Sequence, residues 1–201
     1  MRIRTIAFFS TALAASLVLT GCSTAGDDTT GGTDHSSHSS SPEASTSSEA
    51  NSADEMFATM MIPHHEQAVE MADMILAKDD IDPRVTDLAQ QIKDAQQPEI
   101  DTMTGWLEDW GVNPDDAPAG HDMGDDGMMD ETAMTALDNA TGDEAARLFL
   151  EGMIVHHEGA IDMAETELEK GQNPYALELA QQVIDGQSAE ITTMNEILDT
   201  L

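Results

Sequence analysis

Two short stretches of the chain carry side chains able to hold a metal ion. The first contains Met61, His64, His65 and Met71; the second contains Met153, His156, His157 and Met163 at the same spacing. Ile62, Glu66, Ala68 and Ala72 recur as Ile154, Glu158, Ala160 and Ala164. Imidazoles and thioethers together suit copper, above all Cu(I). A second frame is also used twice. Glu99 precedes Met103 by one helical turn, as Glu190 precedes Met194, and Gln96 and Gln187 lie on the turn before. Imidazole combined with carboxylate would also serve zinc or iron. A third group, His121-Asp122-Met123 with Met128-Met129 after it, lies in a Gly/Asp-rich stretch where methionine gains nothing from packing. Plainer explanations use the same residues. A methionine stripe is more often core than ligand, and an interior Glu paired with an interior His would lock two helices together. Duplication of the whole His, Met, Gln and Glu set favours ligation.

Composition narrows the classes of function. Among 201 residues, 40 are acidic and 7 basic, for a formal charge of -33. That excludes nucleic acid as a partner, because neutralising phosphates needs clustered Lys and Arg. A surface of this sign keeps a protein soluble and raises the local concentration of cations. Methionine is abundant, 14 residues against 2 Trp, 1 Tyr and 4 Phe, and there is 1 Cys. A disulfide within the chain and a multi-thiolate metal site are both ruled out, so any metal must use His, Met, Asp or Glu.

The single Cys belongs to the N-terminus. Arg2 and Arg4 precede an apolar run from Ile6 to Leu19, too short to span a bilayer. Leu19-Thr20-Gly21-Cys22 resembles a bacterial lipobox. The resemblance implies a signal peptide over 1–21, cleavage before Cys22, and a lipid anchor on Cys22 that tethers the mature chain to the outside of the cell membrane. Loss of Arg2 and Arg4 leaves 5 basic residues against 40 acidic, a charge of -35. Residues 22–51 are rich in Ser, Thr, Gly, Asp and Glu and read as a disordered tether. His35 and His38 within it are incidental.

The elements that must position the candidate ligands are helical. Ser52 with Glu55 fits a capping box opening a first helix. Apolar residues then follow at Phe57, Met61, Ala68, Met71 and Ile75. Pro63 predicts a kink, or a start near Ile62. Pro83 opens a second helix with a stripe of Val85, Leu88, Ile92, Ala95, Glu99, Met103, Trp106 and Trp110, bent near Pro98. Thr141 with Glu144 repeats the capping pattern for a third helix, which runs to about Lys170. Asn173-Pro174 opens a fourth, whose stripe is Ala176, Leu179, Val183, Gly186, Glu190, Met194, Ile197 and Leu201. Leu88-Ala89-Gln90-Gln91 recurs as Leu179-Ala180-Gln181-Gln182. The expected fold is therefore all-α, a duplicated helical hairpin forming a four-helix bundle over 52–201. Its repeats cover 52–110 and 141–201, joined by a Met/Asp/Gly-rich loop over 111–140, and an approximate two-fold axis relates them. Neighbouring histidines on a helix point about 100° apart, so each has its own surroundings on the apolar side.

The coupled frames, Met61-Ile62-Pro63-His64-His65 with Met71 and Gln96-x-x-Glu99-Ile100-x-x-Met103, resemble the family called domain of unknown function 305. The likeness extends from about Asp54 to Leu201. It implies a ferritin-like bundle outside the cytoplasm, and some members are associated with copper binding and copper resistance. Departures are mild: Gly152 stands in place of Met60, Val155 in place of Pro63, and Ala189 in place of Pro98. The first leaves the second copy one sulfur poorer. The function expected is an extracytoplasmic metal-binding lipoprotein that buffers, sequesters or delivers copper by ligand exchange rather than by bond-breaking chemistry, which points away from an enzyme. The chain leaves room for a metal-transport partner and for an oligomer. A purely structural or partner-binding bundle is one alternative. An oxidase with a carboxylate-bridged metal pair is another, although it would need a Glu-x-x-His pattern and no His follows Glu99 or Glu190 by three.

Overall fold

The computed structural model describes residues 49–113 and 127–201. Cys22, His35, His38, His121 and Met123 lie outside the described residues, as do the signal segment and nearly all of the tether. The described chain forms five helices: α1 (Ser52–Leu76), α2 (Pro83–Trp110), α3 (Glu131–Asn139), α4 (Gly142–Lys170) and α5 (Pro174–Leu198). It is an all-α bundle. α1 packs along α2, and α4 along α5, as two hairpins. α1 meets α4 in the middle, while α2 and α5 touch only sparsely.

The connection expected to be loop over 111–140 contains α3. Asp130 caps it by accepting from the Ala133 N–H, and Leu137 seats it in the core. Both expected capping boxes need correction. On α1 the box is one residue earlier: Asn51 accepts from the Ala53 and Asp54 N–H groups, and the Asp54 carboxylate accepts from the Asn51 N–H. Thr141 caps α4 without a side-chain hydrogen bond. Pro83 and Pro174 sit in the first turns of α2 and α5, where a missing N–H costs nothing. α1 runs through Pro63 and α2 through Pro98 as single helices. Each proline gives up one internal hydrogen bond, and burial of the turns on either side holds the helix together.

The apolar stripes turn by one residue midway along α2 and α5. Gln96, Ile100 and Leu107 take the buried positions expected of Ala95, Glu99 and Trp106, and on α5 Gln187 replaces Gly186. Two apolar clusters result. One gathers Met71, Ile75, Leu88, Ile92, Phe149, Leu150 and Met194 with Leu137 of α3. The other gathers Phe57, Met61, Met103, Leu107, Leu179 and Val183. Along α1 and α4 the histidine pairs fall where one cluster ends and the other begins, so a polar layer divides the core.

At one end of the bundle, Asp54 joins α1 to the turn between α4 and α5. Its carboxylate accepts from the backbone N–H groups of Gln172 and Asn173 at 3.0 and 2.9 Å. Glu167 of α4 is buried beside it. Burial pushes Glu167 up, and the neighbouring Asp54 carboxylate and its negative charge push the same way, to about 8. Burial also opposes ionisation of Asp54. The Asn51, Asn173 and Gln172 N–H groups and the Glu167 carboxyl outweigh it and hold Asp54 below its usual value. The pair thus keeps one proton, on Glu167. An acid whose pKa is raised by folding destabilises the fold between its unfolded and folded values. Relative to a Glu167→Gln variant, the parent protein should lose stability steadily from about pH 4.5 to about pH 8. Denaturant unfolding of both proteins across that range checks this; a constant difference would refute a shared proton at this corner.

Candidate metal centre

All four histidines of the duplicated frame are completely buried, at 0 % exposure. The outer two are held within their own hairpins. His65 Nε2 lies 2.8 Å from Glu99 Oε2, and His157 Nε2 lies 2.7 Å from Glu190 Oε2. Each glutamate keeps about a fifth of its side chain in water, 22 % and 21 %. The expected interior pairing of His with Glu is therefore present, once in each repeat. If Nε2 donates to the carboxylate, Nδ1 carries the lone pair, and on both rings Nδ1 is buried with no hydrogen-bond partner. A histidine that donates one N–H to a carboxylate while its other nitrogen stays open has the posture of an oriented metal ligand.

The inner two meet across the α1/α4 interface. The His64 and His156 rings stack with centroids 3.7 Å apart and planes tilted by 39°. Burial holds His156 well below the ordinary 6.5, and the His64, His157 and His65 rings push it the same way, since each disfavours added positive charge. The His64 backbone pulls weakly in the opposite direction, but at no geometry that satisfies either ring nitrogen of His156. A buried polar atom left unpaired costs about 1–3 kcal/mol. His156 is thus neutral, buried and short of partners, which is the state a metal ligand must reach before it can bind.

The remaining candidates divide. Met61 and Met103 are fully buried in the cluster on one side of the histidine layer, with Met163 half-buried against them. Met71, Met153 and Met194 are fully buried in the cluster on the other side. Glu99 and Glu190 face one small cavity of about 40 Å³ between α2 and α5, together with Ala95, Gln96, Gly186 and Gln187. These are equivalent positions of the two repeats, so the cavity lies on their approximate two-fold axis. Both polar atoms of the Gln96 amide and the Gln187 carbonyl oxygen are buried there without a partner. The glutamines had a sequence signal, their duplication one turn before each Glu. Among the described residues no three His, Cys, Asp or Glu side chains are grouped closely enough to hold one ion. A centre at His64 and His156 would therefore need sulfur as well as nitrogen, and the buried thioethers on both sides fit a soft ion. Gln67 and Gly152 also matter locally. The Gln67 amide makes two hydrogen bonds to the backbone of Met129, and a Cβ on Gly152 would lie 2.7 Å from Met129 Sδ. The connection between the hairpins thus sets the Met129 side chain against Gly152, the position where the second copy lacks the methionine of the first.

Residues 54–198 match DUF305, a domain of unknown function. Among solved structures, a DUF305 fragment from Deinococcus radiodurans is 30% identical, with a TM-score of 0.69, over 76% of this chain and 99% of that one. A DUF305 protein from Streptomyces coelicolor, described as secreted, is 32% identical over 73% of this chain and 91% of its own, with a TM-score of 0.68. CopM in its Cu(I)-bound form is 34% identical over 73% of this chain and 95% of its own, with a TM-score of 0.61. CopM has also been solved with Cu(II), with Ag and in an apo form. No curated protein matches the chain. No helix among the described residues is long and apolar enough to cross a membrane.

The lowered pKa of His156 has a direct readout. In the metal-free protein its ring should stay neutral well below pH 6.5, where an ordinary histidine gains its proton. Nitrogen chemical shifts of the imidazoles followed through an acid titration would test this, and a His156 ring that titrates normally would contradict its desolvated setting. Because the unfolded chain takes up the proton that the fold refuses, His156 should also cost stability as pH falls below 6.5.

Proposed function

Since the chain belongs to the DUF305 family over residues 54–198, we propose that it is an extracytoplasmic copper-binding protein, tethered through a lipid on Cys22, that buffers, sequesters or hands on the ion. The observation that carries this is the stacked, buried His64/His156 pair, in which His156 is neutral and neither of its ring nitrogens is hydrogen-bonded. Copper is cargo here. It is taken up and released by exchange of ligands, with no bond-breaking chemistry.

The donor set favours Cu(I). His64 and His156 supply imidazole nitrogen, and Met61, Met71, Met103, Met153, Met163 and Met194 place thioethers in the clusters on either side. His65 and His157, oriented by Glu99 and Glu190, flank the inner pair. Zinc or iron would depend more on these outer His–Glu pairs than on sulfur. His121 and Met123 in the connection would capture the ion before it reaches the interior, aided by the chain's charge of -33. A partner for metal transfer would approach this acidic, methionine-bearing surface. A bundle without metal has one observation in its favour: the outer histidines are already satisfied on one side by their glutamates.

Competition titrations with Cu(I), Ag(I), Cu(II), zinc and iron separate these readings. His64→Ala and His156→Ala should each lower Cu(I) affinity by about a hundredfold, and Glu99→Gln and Glu190→Gln, which act through an orienting hydrogen bond, by about tenfold. Copper binding that is weak and indifferent to the two inner histidines would leave the bundle as structural.

A further inference from the structure

Gly152 is the one position in the duplicated frame where a methionine of the first copy, Met60, has no counterpart on the equivalent helix. The space is filled from elsewhere. Met129 enters from the connection between the hairpins, and its sulfur would be 2.7 Å from a Cβ at residue 152, with its methyl carbon at 3.3 Å. A Cβ at residue 152 would displace this thioether. The approach is fixed at two further points. Gln67 of α1 clamps the Met129 backbone, donating to its carbonyl at 2.9 Å and accepting from its N–H at 2.8 Å. Gly127, at a left-handed φ of 77°, lies so close to α4 that a Cβ there would be 2.3 Å from the Val155 carbonyl oxygen and 3.2 Å from His156 Cα. Three contacts therefore carry one thioether to one spot on α4.

That spot is beside the histidine. Residue 152 is four before His156, on the same face of α4. Helical side chains lean toward the N-terminus over the residues three and four before them, so the His156 ring leans over the turn that holds residue 152. Met60 stands in the same relation to His64 on α1. Around Met60 the α1/α4 groove is open, a cavity of about 520 Å³ lined by Met56, Phe57, Met60, Met163 and Glu167. At the equivalent end of α4 the connection fills the groove instead, with Met129 and Met134 packed against the core that holds Leu137.

We propose that Met129 is a thioether ligand for a soft monovalent ion at His156, delivered by the connection to the place that Met60 occupies beside His64. This rests on the copper-binding reading above and adds a donor from outside the repeats. A core filler would need only volume and an apolar surface. A ligand needs the sulfur, whichever segment supplies it.

Three proteins distinguish these roles: the parent, Met129→Leu, and the double variant Met129→Ala with Gly152→Met, which moves the sulfur from the connection onto α4. Ag(I) and zinc are titrated against a chelator, and the thermal midpoint of each metal-free protein is recorded. Met129→Leu should bind Ag(I) about tenfold more weakly, with zinc affinity and midpoint unchanged, and the double variant should regain Ag(I) affinity. Unchanged Ag(I) binding in Met129→Leu, or equal losses for Ag(I) and zinc, would overturn the proposal and leave the metal centre standing. A parent that binds neither ion would sink the copper-binding reading itself, and this ligand with it. Methionine methyl spectra of the parent give a check that needs no variant. The Met129 methyl signal should shift with the His156 ring signals as Ag(I) is added, and a stationary methyl beside a shifting His156 would refute ligation.

Discussion

Four imidazoles are fully buried in one layer across the core, and the rest of the structure is arranged to sustain that. Each buried ring nitrogen without a partner costs about 1–3 kcal/mol, whereas burying a Phe or Met side chain completely gains about 1.5–3 kcal/mol. The apolar clusters on either side, with Met61, Met103, Met71, Met153 and Phe149 at zero exposure, are the right size to offset such a layer. Relief is unequal. The outer rings lean on glutamates that keep an edge in water, so the carboxylate charge is never fully desolvated. The inner rings meet each other across the α1/α4 interface, and burial together with the neighbouring imidazoles holds His156 well below its ordinary value. Stability alone would be served as well by two leucines.

The duplication explains both the order and the irregularity of this layer. Two copies of one hairpin give each outer His its own Glu, at nearly equal distances of 2.8 and 2.7 Å, and bring equivalent inner histidines face to face. Perfect symmetry fails at the ends. At one end Asp54 of α1 reaches the α4–α5 turn. The other is closed by the connection and α3, which have no counterpart in the repeat. A chain that joins two equivalent hairpins must break their symmetry, and here the break occurs where a glycine has opened a place for a sulfur.

Much of this was legible in the sequence, for definable reasons. The four long helices, the Pro83 and Asn173-Pro174 starts, and the inward set of both His pairs follow from periodicity and from repetition in register. The errors concern phase and local competition. Spacing from Val85 points Ala95 and Glu99 to the inner stripe, but a long helix drifts, and Gln96 and Ile100 turn inward instead. Ser52 matched a capping pattern, yet Asn51 is one residue earlier and its amide reaches the same N–H groups. α3 was hidden because nine residues with a single buried Leu137 give almost no periodic signal. Gly152 was the most instructive case. A glycine in place of a methionine reads as a loss along one helix, and only the fold shows a neighbour filling the gap.

Handling an ion in transit favours a centre of individually weak donors over a rigid cage. Thioethers carry no proton to be displaced, and a neutral His156 has none at the nitrogen that would bind, so uptake by these groups does not compete with protons near neutrality. The carboxylates of the centre are kept at the margin: Glu99 and Glu190 border a cavity between α2 and α5, which touch only sparsely. Carboxylates and unpaired amide atoms line that seam, whereas the inner histidines lie at the α1/α4 interface. On the copper-binding reading, oxygen donors at the seam and nitrogen and sulfur within would offer an entering ion progressively softer ligands. Such an order of donors would favour retention of Cu(I) over zinc or iron.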